Sequence, residues 1–226
     1  MKKLIIFVTF CIFNFSIISQ TPSLVKNIRF PVWAQVDAFP GMELKGEQSD
    51  NDYDYPIESI KELAPFLMNG MVYGWEFTYV PSDKARGVAE YFEIRDINPG
   101  DNIASRIEYS SPWIEDNKLN CWVDFQRTDF QIKNYNLWST IQNPVIQGRG
   151  YGPLADGFGG IRKATEEAVK NAIREHYRDK YRNKPKEING SVLIRKPPLL
   201  GIDQGRYVVN LDFFLEYGKI KQYTQF

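Results

Sequence analysis

Large apolar and polar side chains alternate in several short segments of the chain, which is the pattern of half-buried β-strands. The alternation is cleanest in residues 71–80, where Trp75 lies in the middle of the apolar face, and residues 88–97 follow as a hairpin partner. Because the links between most neighbouring segments are too short for parallel crossovers, we expect antiparallel pairing. Further strands are predicted for residues 103–109, 119–126, 191–195 and 206–217.

Two segments carry apolar residues at helical spacing instead. The first begins at Pro56, a favoured first residue of a helix, and is expected to kink or end at Pro65 and to stop at Asn69-Gly70. The second, residues 161–182, has an alanine-rich apolar stripe and is the clearest helix of the chain. Residues 129–142 fit either a strand or a short helix.

This order of elements predicts an α+β fold. Antiparallel β-sheet would carry one long amphipathic helix and one shorter helix packed on one face. The predicted domain covers residues 56–226 and can divide into sub-lobes 56–147 and 148–226. Residues 21–55 are expected to be irregular, apart from a short edge strand at 28–36 that contains Pro31.

The first twenty residues have a different pattern. Lys2 and Lys3 precede an apolar stretch that extends to Ile18, which is typical of a cleavable secretory signal peptide over residues 1–20. No later stretch approaches the length of a membrane helix, so no transmembrane segment is expected in the mature chain. The predicted localisation is therefore exported, either periplasmic or extracellular.

Composition narrows the function classes further. The chain has 226 residues, a formal net charge of zero and 43% apolar residues, which suits a folded core and gives no reason to expect nucleic-acid binding. Its two cysteines are Cys11, which would leave with the signal peptide, and Cys121. The mature protein would therefore hold no internal disulfide, and its fold must rely on its core.

Two tryptophans are candidate ligand contacts, because aromatic faces on sheets can stack on sugar rings or other partners. Trp75 lies on the apolar face of its strand, which also fits a core position under a helix. Trp122 lies on the polar side of its strand beside Asn120 and Asp124, which fits an exposed aromatic or the cover of a sheet edge. Glu90 shares a face with apolar residues and would need a partner or a raised pKa.

The glycine-rich stretch 148–160 leads into the long helix, with Arg162 and Lys163 just beyond it. Such a stretch can hold an anion at a helix N-terminus, with the two cations nearby. It equally fits a hinge, or glycines that let the helix approach the sheet closely. The phosphate-loop pattern fails because Phe158 stands where a lysine is required.

No metal, cofactor or catalytic residue is predicted. The acidic run 50–54 echoes the start of a calcium loop, but Tyr55 stands where that loop needs glycine. His176 is the only histidine, and Cys121 lies in the middle of a predicted strand rather than at a helix start.

The leading hypothesis is an exported, non-enzymatic protein of the cell envelope that acts as a binding or assembly module. Its partner would be another envelope protein or a glycan, and the sequence leaves its oligomeric state open. The alternative is a secreted hydrolase that uses a carboxylate pair, with glycans as a candidate substrate. A deep pocket with two buried acids beside Trp75 or Trp122 would favour the hydrolase, whereas exposed aromatic surface or an uncovered strand edge would favour the binding module.

Overall fold

Antiparallel strands are the main regular structure of the described residues, as the alternating pattern predicts. The computed structural model describes residues 23–37, 53–178, 180–181 and 183–223. The predicted signal peptide and residues 50–52 of the acidic run lie outside these ranges, so both stay predictions.

The helices are α1 (Ser23–Lys26), α2 (Asp54–Val72), α3 (Asp129–Trp138) and α4 (Phe158–Arg178). The strands are β1 (Asn27–Gln35), β2 (Trp75–Val80), β3 (Tyr91–Asp96), β4 (Glu108–Glu115), β5 (Lys118–Gln126), β6 (Val145–Pro153), β7 (Glu187–Ile194), β8 (Leu199–Asp203) and β9 (Arg206–Lys221).

The strands form two sheets. The smaller sheet has the order β1-β5-β4, and the larger has the order β3-β2-β7-β9-β6 with β8 pairing β9 beyond the end of β7. Every strand pair in the described residues is antiparallel. The fold is therefore α+β, and α2 lies between the two sheets because it contacts β1 and β5 of one and β7 of the other.

The glycine-rich stretch is mainly strand β6, which lies directly against α4. A Cβ atom added at Gly148 would lie 2.8 Å from the carbonyl carbon of Ala168, and one added at Gly150 would lie 2.9 Å from that of Glu167. These distances are shorter than real Cβ contacts, so only glycine allows this approach. Of the interpretations open for this stretch, close helix–sheet packing is the one that the structure supports.

The larger sheet curves around α4. The helix packs on β6 and β9, and it also contacts β3 at the opposite edge of the sheet. Lys170 and Arg174 of α4 reach Glu90, the residue before β3, at 3.5 Å each. Both edge strands of the sheet therefore touch the same helix.

Helix α2 is longer than predicted. It runs through Pro65 and Gly70 to Val72. Just beyond this end, Gly74 has a φ of 84°, and its N–H donates to the carbonyl of Asn69 over 3.0 Å. Gly70 serves packing rather than termination, because a Cβ atom there would lie 2.5 Å from the ring of Trp75.

Other elements differ from their predicted boundaries for local reasons. The segment predicted as a strand from residue 103 begins with a 3₁₀ turn, Ile103–Arg106, so that β4 starts only at Glu108. The ambiguous segment is helix α3, because Thr128 and Gln131 form a capping box. The predicted edge strand is confirmed as β1, with Pro31 at a position that only an edge tolerates. No helix among the described residues is long and apolar enough to span a membrane.

We expect Gly150→Ala to lower the free energy of unfolding by about 1–3 kcal/mol, since the new methyl group must push α4 away from β6. The matched control is Gly159→Ala in the first turn of α4, where the nearest neighbour of a new Cβ atom is 3.8 Å away. That control should be neutral or stabilising by up to about 1 kcal/mol. Urea unfolding of both variants measures the difference, and equal stabilities would contradict the close packing.

Candidate functional site

An open apolar groove of about 740 Å³ lies between the first half of α2 and the hairpin formed by β4 and β5. We call it the apolar groove. Tyr53, Ile57, Ile60 and Lys61 line one side, and Tyr109, Ser110, Pro112, Trp113, Ile114, Leu119 and Cys121 line the other.

The groove is open because α2 covers only part of the smaller sheet. On the face toward α2, Val123 of β5 is fully buried, whereas its cross-strand neighbour Tyr109 on β4 is 40% exposed. Ile114, paired with Leu119 on the same face, is 55% exposed. The inner face of β4 therefore presents large apolar side chains that no described residue covers.

A bulge shapes this side of the groove. The pairing of β4 with β5 shifts between Ser110 and Trp113, and Ser111 has a φ of 49°. Such an irregularity bends a strand and redirects its side chains. Pro112 lies within the bulge and lines the groove. The strand resumes with Trp113, whose ring packs beside Trp122 at the rim of the groove, and Ile114, which lines the groove.

Trp122 lies on the outer face of the smaller sheet, partly exposed and packed between two neighbours. The guanidinium of Arg29 lies 5.0 Å from the centre of its ring, and the ring of Trp113 lies 6.2 Å away. Arg29 also pairs with Asp124 at 3.5 Å. The structure therefore places Trp122 in a cluster with Arg29 and Trp113, where it stays partly exposed.

Two acids lie near Trp122, and both are on an open surface. Glu108 and Asp124 are cross-strand partners beside a polar depression of about 960 Å³. Asp124 accepts a hydrogen bond from Ser110 over 3.3 Å and is one-third exposed, while Glu108 is exposed. Among the described residues, this is not the pair of buried acids that the hydrolase hypothesis requires.

Arg127 forms the floor of the same depression and is only 4% exposed. It donates hydrogen bonds to the carbonyls of Val25 over 2.9 Å and Met71 over 2.8 Å, and it stacks on the ring of Tyr135 at 4.5 Å. Met71 lies in the last turn of α2, where the helix dipole favours a cation. Burial lowers the pKa of Arg127 to about 10, and its contacts identify it as a clamp between α1, α2 and α3.

A polar network around the buried Gln131 links α3 to Tyr73 at the end of α2. Gln131 donates to the hydroxyl of Tyr73 over 2.7 Å and accepts from Arg106 over 3.3 Å, and Tyr73 donates to Asp101. Burial and the bond to Asp101 raise the pKa of Tyr73. Sequence reasoning missed these residues and Arg127. The only local signal was the capping-box spacing of Thr128 and Gln131.

Trp75 is a core residue and not a surface contact. It is 1% exposed and stacks on Phe66 with ring centres 5.0 Å apart. The reason is that α2 and β2 meet at Gly70, whose missing side chain leaves room for the indole ring. Trp75 is therefore not a ligand contact, and it takes the core position that its apolar strand face also allowed.

Glu90 has the partners that its position demanded. It accepts a hydrogen bond from Tyr79 over 2.9 Å and lies 3.5 Å from both Lys170 and Arg174. Burial and this bond to Glu90 raise the pKa of Tyr79. Glu90 thus links the start of β3 to α4, and it is not brought near Trp122.

Arg162 and Lys163 do not form an anion cradle with the glycines. Arg162 pairs with Glu166 at 3.2 Å and Lys163 with Asp156 at 2.6 Å, and both side chains are more than half exposed. Because the first half of the glycine-rich stretch is a strand held against α4, it cannot fold as a loop around a phosphate group.

The described residues contain no group of three or more histidine, cysteine, aspartate or glutamate side chains that could hold a metal ion. Cys121 is buried, and burial raises the pKa of its thiol to about 11. The thiol is therefore protonated at neutral pH, which suits a structural residue rather than a nucleophile.

His176 lies near the end of α4, in contact with Lys180 and Tyr217. Its Nε2 atom is 2.8 Å from the hydroxyl of Tyr217 and 2.8 Å from Nζ of Lys180, which also donates to that hydroxyl over 2.6 Å. Burial first, and the charge of Lys180 second, lower the pKa of His176 from its ordinary value.

Comparisons with known proteins cover nearly the whole chain. A protein-family model matches residues 15–223. An uncharacterized protein of Treponema pallidum (strain Nichols) is 27% identical over 198 residues, which is 88% of this chain and 82% of that protein. No solved structure matches.

We expect Arg127→Met to lower the free energy of unfolding by about 2–4 kcal/mol, because two buried carbonyls lose their donor. Arg29→Met, which removes a half-exposed arginine from the same depression, should cost less than about 1 kcal/mol. Urea unfolding of both variants checks the difference. If the two losses were equal, Arg127 would not be the clamp.

The pKa of His176 should lie below 6.5, its ordinary value. Since the unfolded chain then binds the proton more readily, the contribution of neutral His176 to stability is complete above about pH 6.5 and is lost as pH falls through the folded-state pKa. Proton NMR can follow this single histidine in a protein without a histidine tag.

The control for this titration is Lys180→Gln, which should raise the His176 midpoint toward the ordinary value because it removes the neighbouring positive charge. A midpoint of 6.5 or above in the parent protein would show that burial and Lys180 do not act on this imidazole as described.

Proposed function

The chain belongs to the family whose model matches residues 15–223, and on that premise we propose that it is an exported, non-enzymatic binding module of the cell envelope. Its partner is another envelope protein, whose apolar side chains dock in the apolar groove. The proposed localisation rests on the basic and apolar pattern of residues 1–20, which supports export to the periplasm or the exterior.

The observation that carries this proposal is the cluster of exposed apolar side chains around the groove. Tyr53, Ile57, Tyr109 and Ile114 are all exposed, and they line one continuous surface. Folded monomers rarely leave large apolar patches open to water, and such patches mark interaction sites. Covering them on association would remove apolar surface from water, which is the main favourable term in protein–protein binding.

The chemistry of the lining favours a protein over a glycan. Ile57, Ile60, Ile114 and Leu119 supply aliphatic surface, while Lys61 is the one charged side chain that lines the described part of the groove. A sugar needs several polar groups to orient its hydroxyls. Aliphatic surface instead suits the apolar core of a protein interface, whose rim is polar.

The hydrolase hypothesis has weaker support. Glu108 and Asp124 are the acids beside Trp122, and they lie on an open face with Arg29 and Ser110 as close neighbours of Asp124. A glycosidase general acid needs an environment that raises its pKa, usually an apolar and enclosed one. The polar depression beside Trp122 does not provide that environment.

Ile114→Asp should abolish partner docking, since it replaces apolar surface with a carboxylate whose burial in the interface is unfavourable. A photo-crosslinking amino acid at Ile57, on the opposite side of the groove, reports docking in the native envelope. We expect one discrete protein adduct that disappears with Ile114→Asp and persists with Ile141→Asp, a fully exposed isoleucine outside the groove.

Three outcomes would contradict the proposal. The first is an adduct that survives Ile114→Asp. The second is an adduct that forms only after residues 38–52 are replaced by a short Gly/Ser linker, because the chain itself would then occupy the groove. The third is turnover of cell-wall or glycan substrates by the purified protein with no adduct at Ile57. Fractionation that leaves the full chain in the cytoplasm would separately overturn its export.

A further inference from the structure

Of the four strands at the ends of the two sheet paths, β1, β4 and β6 carry a feature that blocks pairing with another chain. Free edges expose backbone N–H and C=O groups, and proteins protect them with prolines, bulges or covering side chains. β1 has Pro31 at its middle, and β4 has its bulge and Pro112. On β6, the N–H of Tyr151 donates to Glu167 over 2.6 Å and the carbonyl of Arg149 accepts from Asn171 over 3.0 Å.

The edge of β3 lacks these features. Its six residues contain no proline, and they pair with β2 in an unbroken register from Tyr91 opposite Val80 to Asp96 opposite Trp75. Among the described residues, no hydrogen bond from another segment reaches its outer backbone groups. Of the four strands at the ends of the sheet paths, β3 is therefore the one that is ready to accept another strand.

Alternation along β3 shows which backbone groups are free. Ile97 N–H donates to the carbonyl of Gly74, its partner in the continued register. Hydrogen-bonded and non-hydrogen-bonded pairs alternate along an antiparallel ladder, so Tyr91, Glu93 and Arg95 bond to β2. The outward N–H and C=O groups are those of Phe92, Ile94 and Asp96.

The order of elements recurs in the chain, and its second occurrence has a strand at the corresponding place. The order strand, helix, strand, strand occurs once as β1, α2, β2, β3 and again as β6, α4, β7, β9, with β8 added before β9. In the second unit the first strand, β6, pairs with the outer edge of the last strand, β9. In the first unit β1 pairs with β5 instead, so the corresponding place beside β3 has no strand among the described residues.

We propose that β3 pairs antiparallel with β3 of a second copy of this chain, about a two-fold axis at Ile94. Residues with outward N–H and C=O groups alternate along β3 with residues that bond to β2. Across the dimer each outward residue must face another outward residue, and this holds only if the two-fold axis passes through a residue and not between two residues. An axis at Glu93 would place Glu93 opposite its own copy, and an axis at Arg95 would do the same for Arg95. With the axis at Ile94, Glu93 lies opposite Arg95 of the second copy in both directions.

This register uses charges that already share one face of β3. Glu93 and Arg95 form an ion pair at 2.7 Å within the strand, and Tyr91 donates to Glu93 over 2.8 Å. Arg95 and Tyr91 lower the pKa of Glu93, so its carboxylate is charged at neutral pH. Opposite charges in facing cross-strand positions are favourable, and like charges there are destabilising.

A charge-exchange experiment tests the pairing. Glu93→Arg places arginine opposite arginine, and Arg95→Glu places glutamate opposite glutamate, so each variant alone should dimerise at least about tenfold more weakly than the parent. A mixture of the two variants restores opposite charges at every position and should recover the association of the parent. Sedimentation velocity over a concentration series measures each species.

Two further variants complete the test. Asp96→Pro removes an outward N–H at an exposed position and should weaken the dimer in every background. Glu216→Arg, an exposed charge reversal on β9 away from this edge, should leave association unchanged. Recovery in the mixture also shows that both single variants fold.

The pairing is overturned if the parent protein remains a monomer across the series, if the mixture associates no better than the single variants, or if Asp96→Pro dimerises like the parent. The apolar groove lies at the other sheet, so its crosslinks report the proposed function independently of this edge.

Discussion

The contact between the backbones of α4 and β6 is the constraint on which the rest of the larger sheet depends. Gly148, Gly150 and Gly152 are successive positions on one face of β6 and leave that face without side chains, and the alanine-rich stripe of α4 fits into that space. At such short range there is no room for adjustment, because the neighbouring atoms belong to the helix backbone rather than to flexible side chains. The position of α4 then sets the curvature of the sheet around it.

That curvature brings both edges of the larger sheet to one helix, but it protects only one of them. Glu167 and Asn171 of α4 bond to the backbone of β6, whereas Lys170 and Arg174 reach Glu90 beside β3 and leave the strand edge itself free. The smaller sheet shows a similar asymmetry, because α2 covers β1 and β5 and leaves the inner face of β4 in the apolar groove. Both proposed contact surfaces therefore arise from incomplete coverage by a helix.

The candidate residues show where sequence patterns are informative about a site. Alternation put Trp75 on the apolar face and Trp122 on the polar face of their predicted strands, and in the structure Trp75 is in the core and Trp122 is partly exposed. The groove residues gave no comparable signal, since Ile57 has the apolar spacing of an ordinary core position in α2 and Ile114 lies outside the predicted strands. Only the distance between α2 and β4 leaves them exposed, and single-chain periodicity carries no information about that distance.

Sequence alone determined the α+β class, the antiparallel pairing of β2 with β3, and the long helix α4, because alternation and helical spacing are local properties of neighbouring residues. It also indicated that glycines permit close packing, without showing that they form a strand. Tertiary structure decided the partner of β1, the continuation of α2 past Gly70 and the buried clamp at Arg127. These depend on contacts between residues far apart in the chain, where the energy of packing overrides local preference.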